Sequence, residues 1–107
     1  MTDKNIFKNY QNEIVRLRRY FHSHPELSLK EYATADHIQK YLNKNGILTK
    51  RIGECGIIAV IYSEDPNAKV IAVRAEMDAI AVREENDIEY KSLNKGVSHA
   101  CGHDAII

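Results

Sequence analysis

Apolar residues recur along the first part of the chain at alternating spacings of three and four positions. They form one stripe over residues 6–21, made up of Phe7, Tyr10, Ile14, Leu17 and Phe21. This spacing places the side chains on one face of an amphipathic helix. Because a proline disfavours the helical conformation in the residue before it, Pro25 predicts that the helix ends near His24.

A second helical pattern follows and predicts a helix that begins after Ser28 and runs to about Asn45. Ser28 and Glu31 match a capping box at its start, and Gly46 is well placed as its C-terminal cap. The side chains expected to face inward are Tyr32, Ala35, Ile38 and Leu42.

The pattern then changes to short runs rich in β-branched residues. Residues 47–52 predict a short strand, and residues 56–62 and 69–75 predict two buried strands. The turn residues at 64–67 are typical of a hairpin connection, so the two buried strands are expected to pair antiparallel. Two helices followed by strands of a mixed sheet predict an α/β fold.

Composition limits the function classes. The chain has 107 residues, with 15 basic and 15 acidic side chains and no net charge. That length suits one small domain, and the charge balance disfavours binding to nucleic acid or to an anionic membrane surface. No apolar run is long enough to span a bilayer. The N-terminus lacks the apolar segment of a signal peptide, which predicts a cytoplasmic protein. Cys55 and Cys101 are therefore expected to be free thiols or metal ligands.

The densest group of reactive side chains lies near residue 100, where His99, Cys101, His103 and Asp104 fall within six positions. A thiolate, imidazoles and a carboxylate together suit zinc and related divalent metals. Residues two apart can share one ion only on a non-helical backbone, and Gly102 favours such a loop. A tetrahedral zinc needs four ligands, so a polar loop with an incidental thiol remains an equal alternative on the residues alone.

Two further groups are less specific. Glu76 and Asp78 end a predicted strand, where ligands often bind in open sheets; a solvated strand terminus is the simpler interpretation. His22, His24 and Glu26 surround the proline that ends the first helix, and hydrogen bonds of a helix-ending turn explain them more simply than metal binding. His37 is expected on the polar side of the second helix.

Three segments together resemble a known family. Residues 18–27 read RRYFHSHPEL, followed by Glu31 and Thr34; residues 74–80 read RAEMDAI, followed by Glu84; residues 96–104 read GVSHACGHD. In this order they resemble the motifs of the metal-dependent amidohydrolases and aminoacylases, in the branch of hippurate hydrolase, auxin-conjugate hydrolase and N-acetyl-diaminopimelate deacetylase.

The resemblance implies a zinc-peptidase-like catalytic domain, interrupted by a lid domain that often mediates homodimers. It implies hydrolysis of the amide bond of N-acyl amino acids or related conjugates at a site holding two divalent metal ions, which could be zinc, manganese, cobalt or nickel. By position, Cys101 and His103 match metal ligands. Asp78 matches an orienting carboxylate, and His99 and Asp104 match supporting residues.

Length is the main departure from the family, whose members are several times longer. The glutamate that serves as general base, the remaining ligands and the lid domain are expected outside these residues. We therefore expect residues 1–107 to be the N-terminal portion of the catalytic domain, inactive as an amidase when isolated. The alternative is a non-catalytic remnant that acts at most as a metal-binding or interaction module.

Overall fold

Two helices and one hairpin form the regular structure of the protein. The computed structural model describes residues 3–107, in which α1 spans Asp3–Ser23 and α2 spans Tyr32–Lys44. Strands β1, Thr49–Ile52, and β2, Gly56–Ala59, follow, and a single 3₁₀ turn spans His103–Ala105. The predicted order of two helices followed by strands is therefore confirmed. No helix within residues 3–107 combines the length and apolar character needed to cross a bilayer.

Helix α1 ends at Ser23, where Pro25 predicted its end. Its apolar stripe is only partly buried. Phe21 is in the core, but Phe7, Tyr10 and Ile14 are exposed. The amphipathic pattern thus predicted the helix correctly but not the extent of its packing.

The start of α2 corrects the predicted capping box. The N-cap residue is Glu31, and it makes no side-chain capping hydrogen bond. The carboxylate of Glu26 takes that role: it accepts hydrogen bonds from the backbone N–H groups of Ala33 at 3.2 Å and Thr34 at 2.6 Å, and from the Thr34 hydroxyl at 2.6 Å. Glu26 therefore satisfies donors that every helix N-terminus leaves unpaired.

The end of α2 follows the sequence prediction. Gly46 adopts a φ of 79°, and its N–H donates to the carbonyl of Asn43, while the N–H of Ile47 donates to the carbonyl of Leu42. These two bonds are the Schellman arrangement, which requires the left-handed backbone that glycine tolerates best.

The strands differ most from the sequence prediction. β1 and β2 pair antiparallel, with Thr49 opposite Ala59 and Ile52 opposite Gly56. The predicted hairpin between residues 57–62 and 70–75 does not form as two buried strands. Residues 60–78 contain no strand, and Val70, Ile71 and Val73 are 96%, 86% and 92% exposed. A strand buried on both faces needs layers above and below it, and the described chain supplies none here.

The small core joins the end of α1 to the C-terminal segment. Its apolar members are Phe21, Ala35, Ala79 and Val97. Isolated bridges pair Leu27 with Ala79 and Ile80 with Ser98. Leu27, the pair Ala79 and Ile80, and Ser98 belong to the first, second and third motif segments, so these bridges place all three segments side by side.

His37 is also placed differently from the prediction. It is half-buried between the helices, stacked on the ring of Tyr20 at a centroid distance of 4.0 Å, rather than lying on a polar face. Burial lowers the pKa of His37, and the nearby positive charges of Arg16, His24 and Lys40 act in the same direction.

Candidate functional site

The centre of the candidate site is a contact between His103 and Asp78, which are 25 residues apart in the sequence. His103 Nδ1 lies 2.7 Å from Asp78 Oδ1 and 3.0 Å from the Asp78 backbone carbonyl. The bridge between Leu27 and Ala79 fixes the chain beside Asp78. The 3₁₀ turn places His103, and Gly102 enters that turn with a φ of 88°. The side chains of His103 and Asp78 therefore lie within hydrogen-bond distance of each other.

Glu76 lies on the other side of the imidazole. Its Oε2 is 3.0 Å from His103 Nε2, so one ring nitrogen faces each carboxylate. The hydrogen bond to Asp78 raises the pKa of His103, and the negative charge of Glu76 contributes in the same direction. The family resemblance implied a role for Asp78 and none for Glu76, and no sequence pattern shows that both carboxylates reach one imidazole.

These three side chains line an open cleft of about 400 Å³. Glu31 and Cys55 also line it. Burial raises the pKa of the Cys55 thiol, and Glu31 acts in the same direction. The carboxylates of Glu31, Glu76 and Asp78 and the guanidinium of Arg74 thus line the cleft around one imidazole, and Arg74 lies 2.8 Å from Glu76 Oε1.

Cys101, the other predicted ligand, is an exposed free thiol in the turn before His103. It is not among the residues that line the cleft. Within residues 3–107, no three or more His, Cys, Asp and Glu side chains are arranged so that they could hold a metal ion. The donor types therefore fit a divalent metal, but the ligand number does not reach the four that a closed zinc site needs.

A second charged group lies behind this loop. His22 Nδ1 is 2.7 Å from Asp104 Oδ2, and His22 Nε2 is 2.7 Å from Glu84 Oε1. Arg18 Nε is 2.9 Å from the same Asp104 oxygen. The sequence favoured a turn role for His22. Its partners Glu84 and Asp104 lie 62 and 82 positions away, and no local pattern links residues that far apart. The one available signal was that all four residues belong to the three motif segments.

His99 is buried at 4% exposure. Neither of its ring nitrogens has a hydrogen-bond partner in the described structure, and the same holds for Asp104 Oδ1. Burial lowers the pKa of His99, with Asp104 opposing that shift. Unpaired buried polar atoms are costly, so this region holds hydrogen-bonding capacity that residues 3–107 do not use.

The remaining histidine of the first motif is accounted for locally. The ring Nδ1 of His24 lies 2.8 Å from the backbone carbonyl of Tyr20 and 2.9 Å from the Ser23 hydroxyl. His24 and Glu26 thus make local hydrogen bonds around the turn that ends α1, as the simpler interpretation of this segment expected. His22 is the exception.

Comparison with known proteins gives a consistent family of relatives, although no family model matches the chain. Thermostable carboxypeptidase 2 of Saccharolobus solfataricus is 43% identical over 103 residues, which cover 94% of this chain and 26% of that protein. An N-acyl-L-amino acid amidohydrolase of Geobacillus stearothermophilus is 38% identical over 102 residues, which cover 94% and 27%. The chain thus spans about a quarter of the length of these curated relatives.

A solved structure agrees. A dinuclear metal-binding peptidase of the M20 family from Bacillus subtilis superposes with a TM-score of 0.84 at 34% identity, covering 91% of this chain and 28% of that one. The resemblance predicted from the three motifs is confirmed, and so is the fold class that it implied.

Proposed function

We propose that this chain contributes to the hydrolysis of the amide bond of N-acyl amino acids or related conjugates at a dinuclear metal centre. The observation that carries the proposal is His103, held by Asp78 at Nδ1 at the edge of a carboxylate-lined cleft. A carboxylate on one imidazole nitrogen is the arrangement that orients a metal-binding histidine and makes its other nitrogen the ligand atom. The amidohydrolase and the dinuclear peptidase among the relatives support the same chemistry.

Each residue has a distinct role in this proposal. Cys101 and His103 would be ligands, and Asp78 would orient His103 without binding the metal. Glu76, 3.0 Å from Nε2, would keep the ligand nitrogen surrounded by negative charge. A bound divalent metal supplies Lewis acidity and lowers the pKa of a water molecule toward neutrality.

Other components are expected from residues outside those described. They are the general base, the remaining ligands and the lid domain through which a homodimer would form. Residues 1–107 would then be the N-terminal portion of the catalytic domain of a cytoplasmic enzyme. We expect the isolated chain to release no amino acid from N-acetyl or N-benzoyl substrates, and measured turnover by the purified chain would refute this part of the proposal.

Cobalt titration of the purified chain under reducing conditions tests the ligand assignment. Cobalt bound by a thiolate gives a near-ultraviolet charge-transfer absorption, so we expect that absorption in the parent chain and its loss in Cys101→Ser. His103→Ala should weaken cobalt binding, and Asp78→Asn should weaken it by about tenfold, the lower end for loss of an orienting partner, because the Asp78 carbonyl still contacts the ring.

Cys55→Ser is the matched control, since Cys55 is the only other cysteine in the chain. It should leave the absorption unchanged. An absorption that survives Cys101→Ser and disappears in Cys55→Ser would refute the ligand assignment.

The alternative function is a non-catalytic module. The incomplete donor set within residues 3–107 favours it over an independent enzyme. Sequencing the encoding DNA beyond codon 107 distinguishes the two: an open reading frame containing a Glu-Glu pair supports the enzyme, and a stop codon supports the module.

A further inference from the structure

A cluster of four charged side chains, which the proposed function does not use, connects three distant parts of the chain. Three of the four are largely buried, and the side chain of Arg18 is 37% exposed. Arg18 and His22 come from α1, Glu84 from the loop after residue 80, and Asp104 from the 3₁₀ turn. The side chains of Asp104, His22 and Glu84 are 1%, 7% and 10% exposed. We call this set the charge cluster.

A carboxylate lies against each ring nitrogen of His22. Each ring nitrogen lies 2.7 Å from a carboxylate oxygen, and an ionised carboxylate can only accept a hydrogen bond. Both contacts are therefore hydrogen bonds when His22 carries both ring protons. The cluster then holds two positive and two negative charges, so the largely buried carboxylates of Asp104 and Glu84 each lie against a cation.

The position of Asp104 connects the cluster to the candidate site. Asp104 follows His103 directly in a turn of three residues, and such a short 3₁₀ segment has little stability of its own. The element packed against this turn is α1, from which both cationic partners of Asp104 come. The orientation of the His103 backbone thus depends on what holds Asp104.

We propose that His22 is a positioning residue whose imidazole ring links Asp104 to Glu84 and so holds the loop 99–104 in the shape that presents His103 to the cleft. The metal-binding part of this inference rests on the proposed function. The positioning part concerns the metal-free chain and can be tested without it.

Amide hydrogen exchange of the metal-free chain tests the positioning directly. The N–H groups of Ala105 and Ile106 donate to the carbonyls of Gly102 and His103 and report on the turn. In His22→Gln their exchange should accelerate by about tenfold or more, since truncating one partner of a buried ion pair is strongly destabilising. The matched control is His24→Gln, two residues later, which should leave that exchange unchanged.

A second pair of variants separates loss of the link from loss of the fold. Glu84→Gln alone should accelerate the same exchange. In the double variant with His22→Gln and Glu84→Gln, exchange should accelerate by less than the two single effects combined. The reason is that the two new amide side chains can hydrogen-bond to each other, so neither position then carries a charge. A double-mutant cycle measures this coupling. Additive effects, or acceleration that extends equally to the amides of α2, would overturn the proposal.

Cobalt binding supplies the functional readout. His22→Gln should weaken cobalt binding by about tenfold, as for other residues that orient ligands, while the thiolate absorption at saturation persists. Equal affinities and equal exchange in His22→Gln and His24→Gln would overturn the inference. A parent chain that binds no cobalt would refute the proposed function alone, because the exchange measurements would still decide the role of His22.

Discussion

Replacing Glu26 with alanine should destabilise the protein by about 2–4 kcal/mol, although Glu26 carries out no proposed chemistry. Its carboxylate accepts the N–H groups of Ala33 and Thr34 and the Thr34 hydroxyl. Thr34 is 3% exposed, so its hydroxyl cannot readily exchange this partner for water. The substitution therefore removes a helix cap and leaves a buried donor unpaired.

The expected magnitude is the sum of these two effects. Loss of an N-terminal cap typically costs about 1 kcal/mol, and an unsatisfied buried hydroxyl costs about 1–3 kcal/mol. The Glu26→Gln variant keeps an acceptor oxygen but loses the charge near the helix N-terminus, so it should lose only about 0.5–1 kcal/mol. The backbone carbonyl of Glu26, which accepts the N–H of Ala79 at 2.7 Å, is unaffected in both variants.

Urea unfolding followed by far-ultraviolet circular dichroism measures these differences. The control is Glu13→Gln, which removes an exposed ion pair with Arg16 and should cost at most about 0.5 kcal/mol. If Glu26→Ala costs no more than Glu13→Gln, the carboxylate does not cap α2 and the assignment of Glu26 to a structural role is wrong.

Three other measurements test the fold. Since burial lowers the pKa of His37, the unfolded chain binds a proton there more readily than the folded chain, and stability should decrease as the pH falls below about 6.5. The loss between about pH 7.5 and pH 5.5 should be smaller in His37→Gln than in the parent; equal losses would contradict the pKa assignment. Leu29 is 81% exposed and has a φ of 64°, so Leu29→Gly should raise stability by up to about 1 kcal/mol by relieving left-handed strain; a loss in urea unfolding would argue against strain. Ile71→Lys and Val73→Lys should increase the solubility of the chain, measured by sedimentation, because both side chains are exposed. Neither change should lower the midpoint of urea unfolding. A clear drop in that midpoint would mean that these side chains are buried in solution.

The two helices show how far a local pattern can be used. Helical hydrogen bonds join residues four apart, so periodicity, Pro25 and Gly46 were enough to predict both helices and the C-terminal cap of α2. The N-terminal cap was predicted wrongly because its donor–acceptor pairs span seven and eight residues. A capping box supplies acceptors for the first N–H groups of a helix from residues of the helix start itself, whereas here the acceptor comes from Glu26.

The strands show the opposite case. Residues 56–62 and 69–75 have the composition of buried strands, but a strand forms only where another strand pairs with it. In the described chain, β1 pairs with residues 56–59, and the apolar residues that follow remain exposed. Composition showed which segments could become strands, and the available partners decided which segment did.

The sequence by itself determined the donor types of the candidate site, the order of its three motifs and the resemblance that follows from them. Tertiary structure decided which donors meet: Asp78 with His103 across 25 residues, and His22 with Asp104 across 82. Hydrogen bonds and ion pairs act over about 3 Å. Residues this far apart in the sequence come that close only because α1, the segments joined by the bridges Leu27–Ala79 and Ile80–Ser98, and the small core pack together. That packing depends on the whole folded chain, and no local spacing encodes it.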